Sequence, residues 1–327
     1  MNGMYPELES LSLVELEARF RAASQEDPYL WYDEVAIAIR KRDPDAGARF
    51  LRGEVAGADT PRLTAVLLAI TWFDERDRGQ ADLLIECLEH PDEAVVAGAI
   101  NGLAGLGGCG LTERILALVV DSREMVRGAV VRFASRVVPD RAPALLLDAL
   151  QDPHYLVRSN AVSEVEDLDY TPALARVEVL SEDPHPRVRQ AVLSALAKLE
   201  TPGRAVPFLL DALNDPHHLV REQAVQELDE LEHTAALPSI EALCTDPHLD
   251  VREAALAAID KLGAPDTAIR LLVDALHDPD ATVRLTALSH LDRLEQFTDR
   301  ATFERMLDDP DEDVRERAQS ILDNEAP

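Results

Sequence analysis

An all-α solenoid of about ten helical hairpins is the fold this sequence predicts, and three observations carry that expectation. A phrase of the form D-P-x-x-x-V-R recurs at a near-constant step down the chain. Apolar residues inside each phrase follow helical spacing, and no segment alternates as a strand does. Aromatic residues reach only 4% while apolar residues reach 46%, so a core must be built from Leu, Ala, Val and Ile.

The repeat is clearest at Pro153, Pro184, Pro216, Pro247, Pro279 and Pro310, with steps of 31, 32, 31, 32 and 31 residues. One step back from Pro153 reaches Ser122, and another reaches Pro91. Weaker copies surround Pro61 and Pro28. The whole chain, 1–327, thus reads as one array, divergent over 12–90 and regular over 91–327. Asp is a strong helix N-cap, and Pro suits the first helical position, so a helix is expected to start at each Asp-Pro. After Pro216 the apolar residues are Val220, Ala224, Val225, Leu228 and Leu231, one stripe of a helix. Another apolar helix precedes each Asp-Pro, as in residues 204–213 and 267–276. Thr201-Pro202-Gly203 and Gly263-Ala264-Pro265 punctuate the units.

These phrases, with the pattern D-P-x-x-x-V-R-x-x-A-(V/A)-x-x-L, resemble the HEAT repeat in the short bacterial form found in phycobilin lyase subunits. The resemblance is strong over 91–327 and weak over 12–90. It implies stacked helical hairpins whose second helices line a concave groove, and it implies protein binding as the commonest role. Chromophore, DNA and diiron chemistry also occur in that family. His-Glu dipeptides mark its diiron members, and none occurs here.

The formal net charge is -30. Residues 1–150 hold 25 acidic and 16 basic side chains, and residues 151–327 hold 37 and 16, which leaves the second half at -21. Such a surface repels nucleic acids and anionic membranes, so the expectation is no nucleic acid and no membrane partner. It also keeps a protein soluble. The sequence shows no signal peptide and no apolar run long enough to cross a bilayer, which makes a reducing cytoplasm the default. Cys87, Cys109 and Cys244 are isolated, with neither disulfide nor zinc spacing. No cofactor motif and no nucleophile–base motif is visible, so the expectation is a protein that is not an enzyme. The glycine-rich stretch Gly102–Gly110 follows no predicted strand and reads as a loop between units.

Two columns run through the repeat. The arginines Arg127, Arg158, Arg189, Arg221, Arg252, Arg284 and Arg315 each lie six residues after Asp121, Asp152, Asp183, Asp215, Asp246, Asp278 and Asp309. Asp and Arg are lost together at Pro91, where His90 and Val96 stand, which favours a structural ladder over phosphate binding. Each Arg is expected to pair with a capping Asp of its own or the adjacent turn. The histidines His154, His185, His217 and His248 follow four successive prolines. Repeats stack roughly 8–10 Å apart, so this row cannot share one ion, and the residues read as solvated turn positions. Only His217 and His218 with His248 are placed for a weak surface site. The expected metal content is none.

On the face opposite the buried stripe, the second helices carry Glu222, Asp229, Glu253, Asp260, Asp292 and Glu316 in the C-terminal half. Earlier units carry Ala97, Asn101 and Arg132 there, a stretch expected to be small-sided and open. These nine residues are the candidate partner-binding set. Phe20, Tyr29, Trp31, Tyr32, Phe50, Trp72 and Phe73 gather early and read as an apolar plug on the first repeat. The function expected is a scaffold, adaptor or inhibitor that binds a protein partner with a basic segment. A lyase-like subunit acting on a bilin and a structural subunit of a larger assembly are the alternatives.

Overall fold

Helices dominate because each repeat supplies two apolar stripes and a polar turn, and helices bury such stripes only against neighbours. The structure, a computed structural model, describes residues 6–22, 28–55, 60–73, 78–294, 297 and 299–324. The chain forms two compact units, residues 1–168 and 169–327.

The first unit holds α1 (Leu13–Arg21), α2 (Pro28–Arg42), α3 (Pro44–Glu54), α4 (Thr60–Phe73), α5 (Arg78–Cys87), α6 (Glu93–Gly105), α7 (Thr112–Leu116), α8 (Glu124–Val137), α9 (Ala142–Ala149) and α10 (Tyr155–Asp167). Its entry is fixed locally. Ser12 and Glu15 form a reciprocal capping box, with the Ser12 N–H donating to Glu15 Oε2 at 2.8 Å. That start aims Leu16 and Phe20 inward, and both are fully buried. The Phe20 ring meets Tyr32 edge-on at 5.4 Å and Phe50 at 6.0 Å, so the described aromatics form a core plug. The side chains of Tyr29, Trp31, Trp72 and Phe73 lie outside the described residues.

The second unit holds α11 (Leu174–Val179), α12 (Pro186–Leu199), α13 (Pro202–Ala212), α14 (His218–Glu230), α15 (Leu237–Leu243), α16 (Leu249–Leu262), α17 (Pro265–Ala275), α18 (Ala281–Arg293), α19 (Arg300–Arg305) and α20 (Glu312–Asn324). Second helices stack on second helices, α12 on α14 on α16 on α18 on α20. The stripe expected in α14 is the core: Val220, Ala224, Val225 and Leu228 are at most 1% exposed. They pack with Leu209 from α13, Ile240 from α15 and Ile259 from α16. No strand occurs among the described residues. All of this is the all-α solenoid class that the repeat predicts.

Two local expectations need correction. Second helices start later than the Asp-Pro pair in every regular repeat. Proline is followed by one extended residue, such as His217 with φ -103° and ψ 128°, and that residue is the N-cap. The Asp carboxylate instead receives the N–H of this residue, as Asp215 Oδ1 does from His217 at 2.8 Å, and so shapes the turn ahead of the helix. The stretch around Ala97 is also not open. Ala97 is 4% exposed and Ala104 8%, because the Ala- and Gly-rich α6 packs closely against α8 and its small side chains are covered.

Candidate functional site

The arginine column resolves into a forward ladder. Arg127 grips Asp152 of the next turn with two parallel bonds, Nε to Oδ2 and Nη2 to Oδ1, each 2.8 Å. The same fork joins Arg189 to Asp215, Arg221 to Asp246, Arg252 to Asp278 and Arg284 to Asp309, all at 2.7–2.8 Å. The remaining nitrogen turns back, so that Arg221 Nη1 donates to the Asp215 carbonyl at 2.8 Å. Arg158 and Arg315 make this backward bond to Asp152 and Asp309 at 2.8 and 2.7 Å. Guanidinium is the only side chain with the planar fork and the spare donor that this double contact needs. The defect at Pro91 shows the rule. Val96 cannot reach Asp121, and Arg123 takes that carboxylate from within its own turn at 2.9 Å. Burial alone would raise the Asp152 carboxyl, but Arg127 and the His154 N–H hold it below the ordinary range.

Histidines of the second column are caps rather than merely solvated residues. Nδ1 of His154, His185 and His217 accepts the N–H two residues on, each at 3.3 Å. Asp280 occupies the same register and caps Thr282 at 2.9 Å. His248 departs from the pattern. It makes no cap bond, and its Nδ1 is shielded from solvent with no hydrogen-bond partner. The His248 ring stacks on His218 of the preceding repeat, with centroids 3.6 Å apart and planes 6° from parallel. Asp250 Oδ2 lies 3.4 Å from His248 Nδ1. His218, His248 and Asp250 thereby place three ligand-type atoms within 4.8 Å of one another. His217, the third histidine of the expected surface group, spends Nδ1 on its own helix while its ring stacks on His218 at 4.6 Å. Asp250 was not among the candidates, although in the preceding repeat a second histidine, His218, stands two residues after Pro216, alone among the phrases with His at Pro+1.

Half of the acidic row is already engaged. Asp229 Oδ2 pairs with Lys261 at 3.1 Å, Asp260 with His290 at 2.6 Å and Arg293 at 3.1 Å, and Asp292 with Arg317 at 2.8 Å. Each cation comes from the following second helix, so these carboxylates stitch the stack. Glu253 accepts from Thr286 at 2.6 Å, and Glu222 accepts from Gln226 at 3.1 Å. Burial and the nearby Asp250 carboxylate push the Glu222 carboxyl up. Glu316 is exposed. In the first unit Arg132 is half-buried, and its Nε reaches Asn101 Oδ1 at 3.4 Å. Burial lowers the affinity of that guanidinium for its proton, while Glu164 opposes the shift. The second-helix face of the first unit is therefore a tight polar seam, with Ala97 beneath it.

Stacked hairpins locked turn to turn by an Arg–Asp ladder define a helical-repeat solenoid. The sequence profile of HEAT repeats matches residues 81–166, 142–229, 173–260, 206–292 and 240–323, and the chain belongs to the HEAT-repeat family. No curated protein matches it by sequence. Among solved structures it is similar to the Escherichia coli protein YibA, at 18% identity and a TM-score of 0.58, over 74% of this chain and 90% of that one. It is also similar to a chain in the complex of Kap95p with RanGDP, at 14% identity and a TM-score of 0.56, over 99% of this chain and 52% of that one. A chain of the CpcE–CpcF phycocyanin lyase complex from Nostoc sp. PCC7120 matches at 21% identity and a TM-score of 0.41, over 65% of this chain and 94% of that one. At these identities the likeness concerns the fold alone.

Proposed function

We propose that this chain is a non-enzymatic protein-binding scaffold, an adaptor or inhibitor, that receives a basic segment of its partner on the second-helix face of α14 to α20. The row of carboxylates Glu222, Asp229, Glu253, Asp260, Asp292 and Glu316 carries the reading. Three of them already hold cations in single file, which displays the spacing a Lys- or Arg-bearing segment would need to adopt. Among the described residues, Glu222, Glu253 and Glu316 have no Lys or Arg partner, so they are the groups a partner would engage first. The surrounding half carries -21, and opposed charge speeds encounter and orients a partner more than it adds affinity. A non-enzymatic role agrees with the thiols. Burial pushes Cys87 up to about 11 and Cys244 up to about 12, which keeps both protonated and poorly nucleophilic in a reducing cytoplasm. The lyase-like and structural-subunit alternatives rest on the repeat alone, and a repeat does not specify a ligand.

The test begins with a pull-down to obtain the partner, followed by association kinetics across a salt series. The triple variant Glu222→Lys, Glu253→Lys, Glu316→Lys leaves every ladder pair intact. Association should slow about tenfold at low salt and lose its salt dependence. An unchanged rate in a folded variant would mean that the acidic row serves solubility.

A further inference from the structure

We propose that His218, His248 and Asp250 form a binding site for a single divalent transition-metal ion of the zinc type. Two independent observations support it. The first is convergence: residues from two successive repeats bring two imidazoles and a carboxylate within 4.8 Å of one another. A tetrahedral zinc ion with bonds of about 2 Å sets its ligand atoms roughly 3.4 Å apart, so modest side-chain rotation closes the gap. The parallel rings must splay to aim their nitrogens at one point, and both are half-buried.

The second observation is the abandoned cap. Equivalent histidines in three other repeats spend Nδ1 on a backbone N–H. His248 does not, and its Nδ1 stays shielded without a hydrogen bond, with the Asp250 carboxylate 3.4 Å away. A shielded ring nitrogen without a hydrogen bond is destabilising, and an ion shared with the carboxylate would satisfy it. Mixed nitrogen and oxygen donors suit zinc, nickel or copper(II) over magnesium or calcium. The positive N-terminal ends of α14 and α16 oppose a cation, so the imidazoles must supply the selectivity.

Equilibrium dialysis of tag-free, chelator-stripped protein against Zn2+ in 10 mM Mg2+ tests the site. The Mg2+ occupies the general acidic surface. One Zn2+ per chain should remain in the wild type. His248→Asn places a side chain able to cap at the helix start, and it should weaken that binding at least tenfold, as should His218→Ala. His185→Asn, in an ordinary cap, should leave it unchanged. Equal binding by wild type and His248→Asn, with both folded by circular dichroism, would overturn the proposal. So would complete displacement of Zn2+ by Mg2+, which would mark adsorption to carboxylates.

Discussion

Replacing Arg252 by Met removes one rung of the ladder while keeping most of the apolar stem. Three bonds are lost: two to Asp278, at 2.8 and 2.7 Å, and one to the Asp246 carbonyl at 2.9 Å. Both side chains of the pair are 10% exposed, so water cannot easily replace the guanidinium. Asp278 keeps the Asp280 N–H at 2.9 Å but loses the guanidinium paired with its carboxylate. Removing one partner of a fully buried pair costs about 3–5 kcal/mol. The residual exposure and the surviving bond reduce this, and a loss of about 2–4 kcal/mol is expected. Arg317→Met is the built-in comparison, because its pair with Asp292 is about 30% exposed on both sides and should contribute about 0–1 kcal/mol. Urea unfolding followed by circular dichroism measures both. Because repeats couple only to neighbours, hydrogen exchange should quicken around α16 to α18 before it does near α12. The double variant Arg252→Met, Asp278→Leu should recover most of the loss, since no charge is then stranded. Equal and small losses for Arg252→Met and Arg317→Met would refute the view that the ladder is a buried, structural device.

Acid should loosen the same ladder. Folded-state pKa values of Asp152, Asp246 and Asp309 lie below normal, because their arginines and turn N–H groups outweigh burial. Their contribution is therefore fully present above the unfolded value of about 3.9 and is lost as pH falls through the lower folded values. Melting temperature should drop steeply below about pH 4, measured by calorimetry at low salt. His185→Asp should raise stability by roughly 0.5 kcal/mol at neutral pH, because a carboxylate caps better than an imidazole and suits the helix N-terminus. A lowered melting temperature would contradict the cap assignment. Gly108→Ala should destabilise the first unit by about 1–3 kcal/mol, because Gly108 has φ +80° and an added Cβ would lie 3.0 Å from Val137 Cγ1. Chemical denaturation checks this, and a neutral result would mean that the turn after α6 can relax.

The sequence by itself determined the helical class, the hairpin period and which residues face the core. Those follow from short-range spacing, and in a repeat array the long-range contacts copy the same interface. Val220, Ala224, Val225 and Leu228 were legible as core from periodicity alone. The ladder was legible as a pairing but not in its direction, since sequence distance cannot tell a bond within a turn from one to the next. Likewise, a histidine after proline does not reveal whether it caps, stacks or stands free. That depends on whether the N–H two residues on or a ring from the neighbouring repeat lies closer. The acidic row was readable as composition, yet only the stacking of α16 on α14 shows Lys261 reaching Asp229. Likewise, Ala97 is covered because α6 and α8 approach closely, and the helical wheel of a single segment holds no information about that distance. Tertiary structure decided these points because each depends on the separation of two repeats, and short-range pattern is blind to that separation.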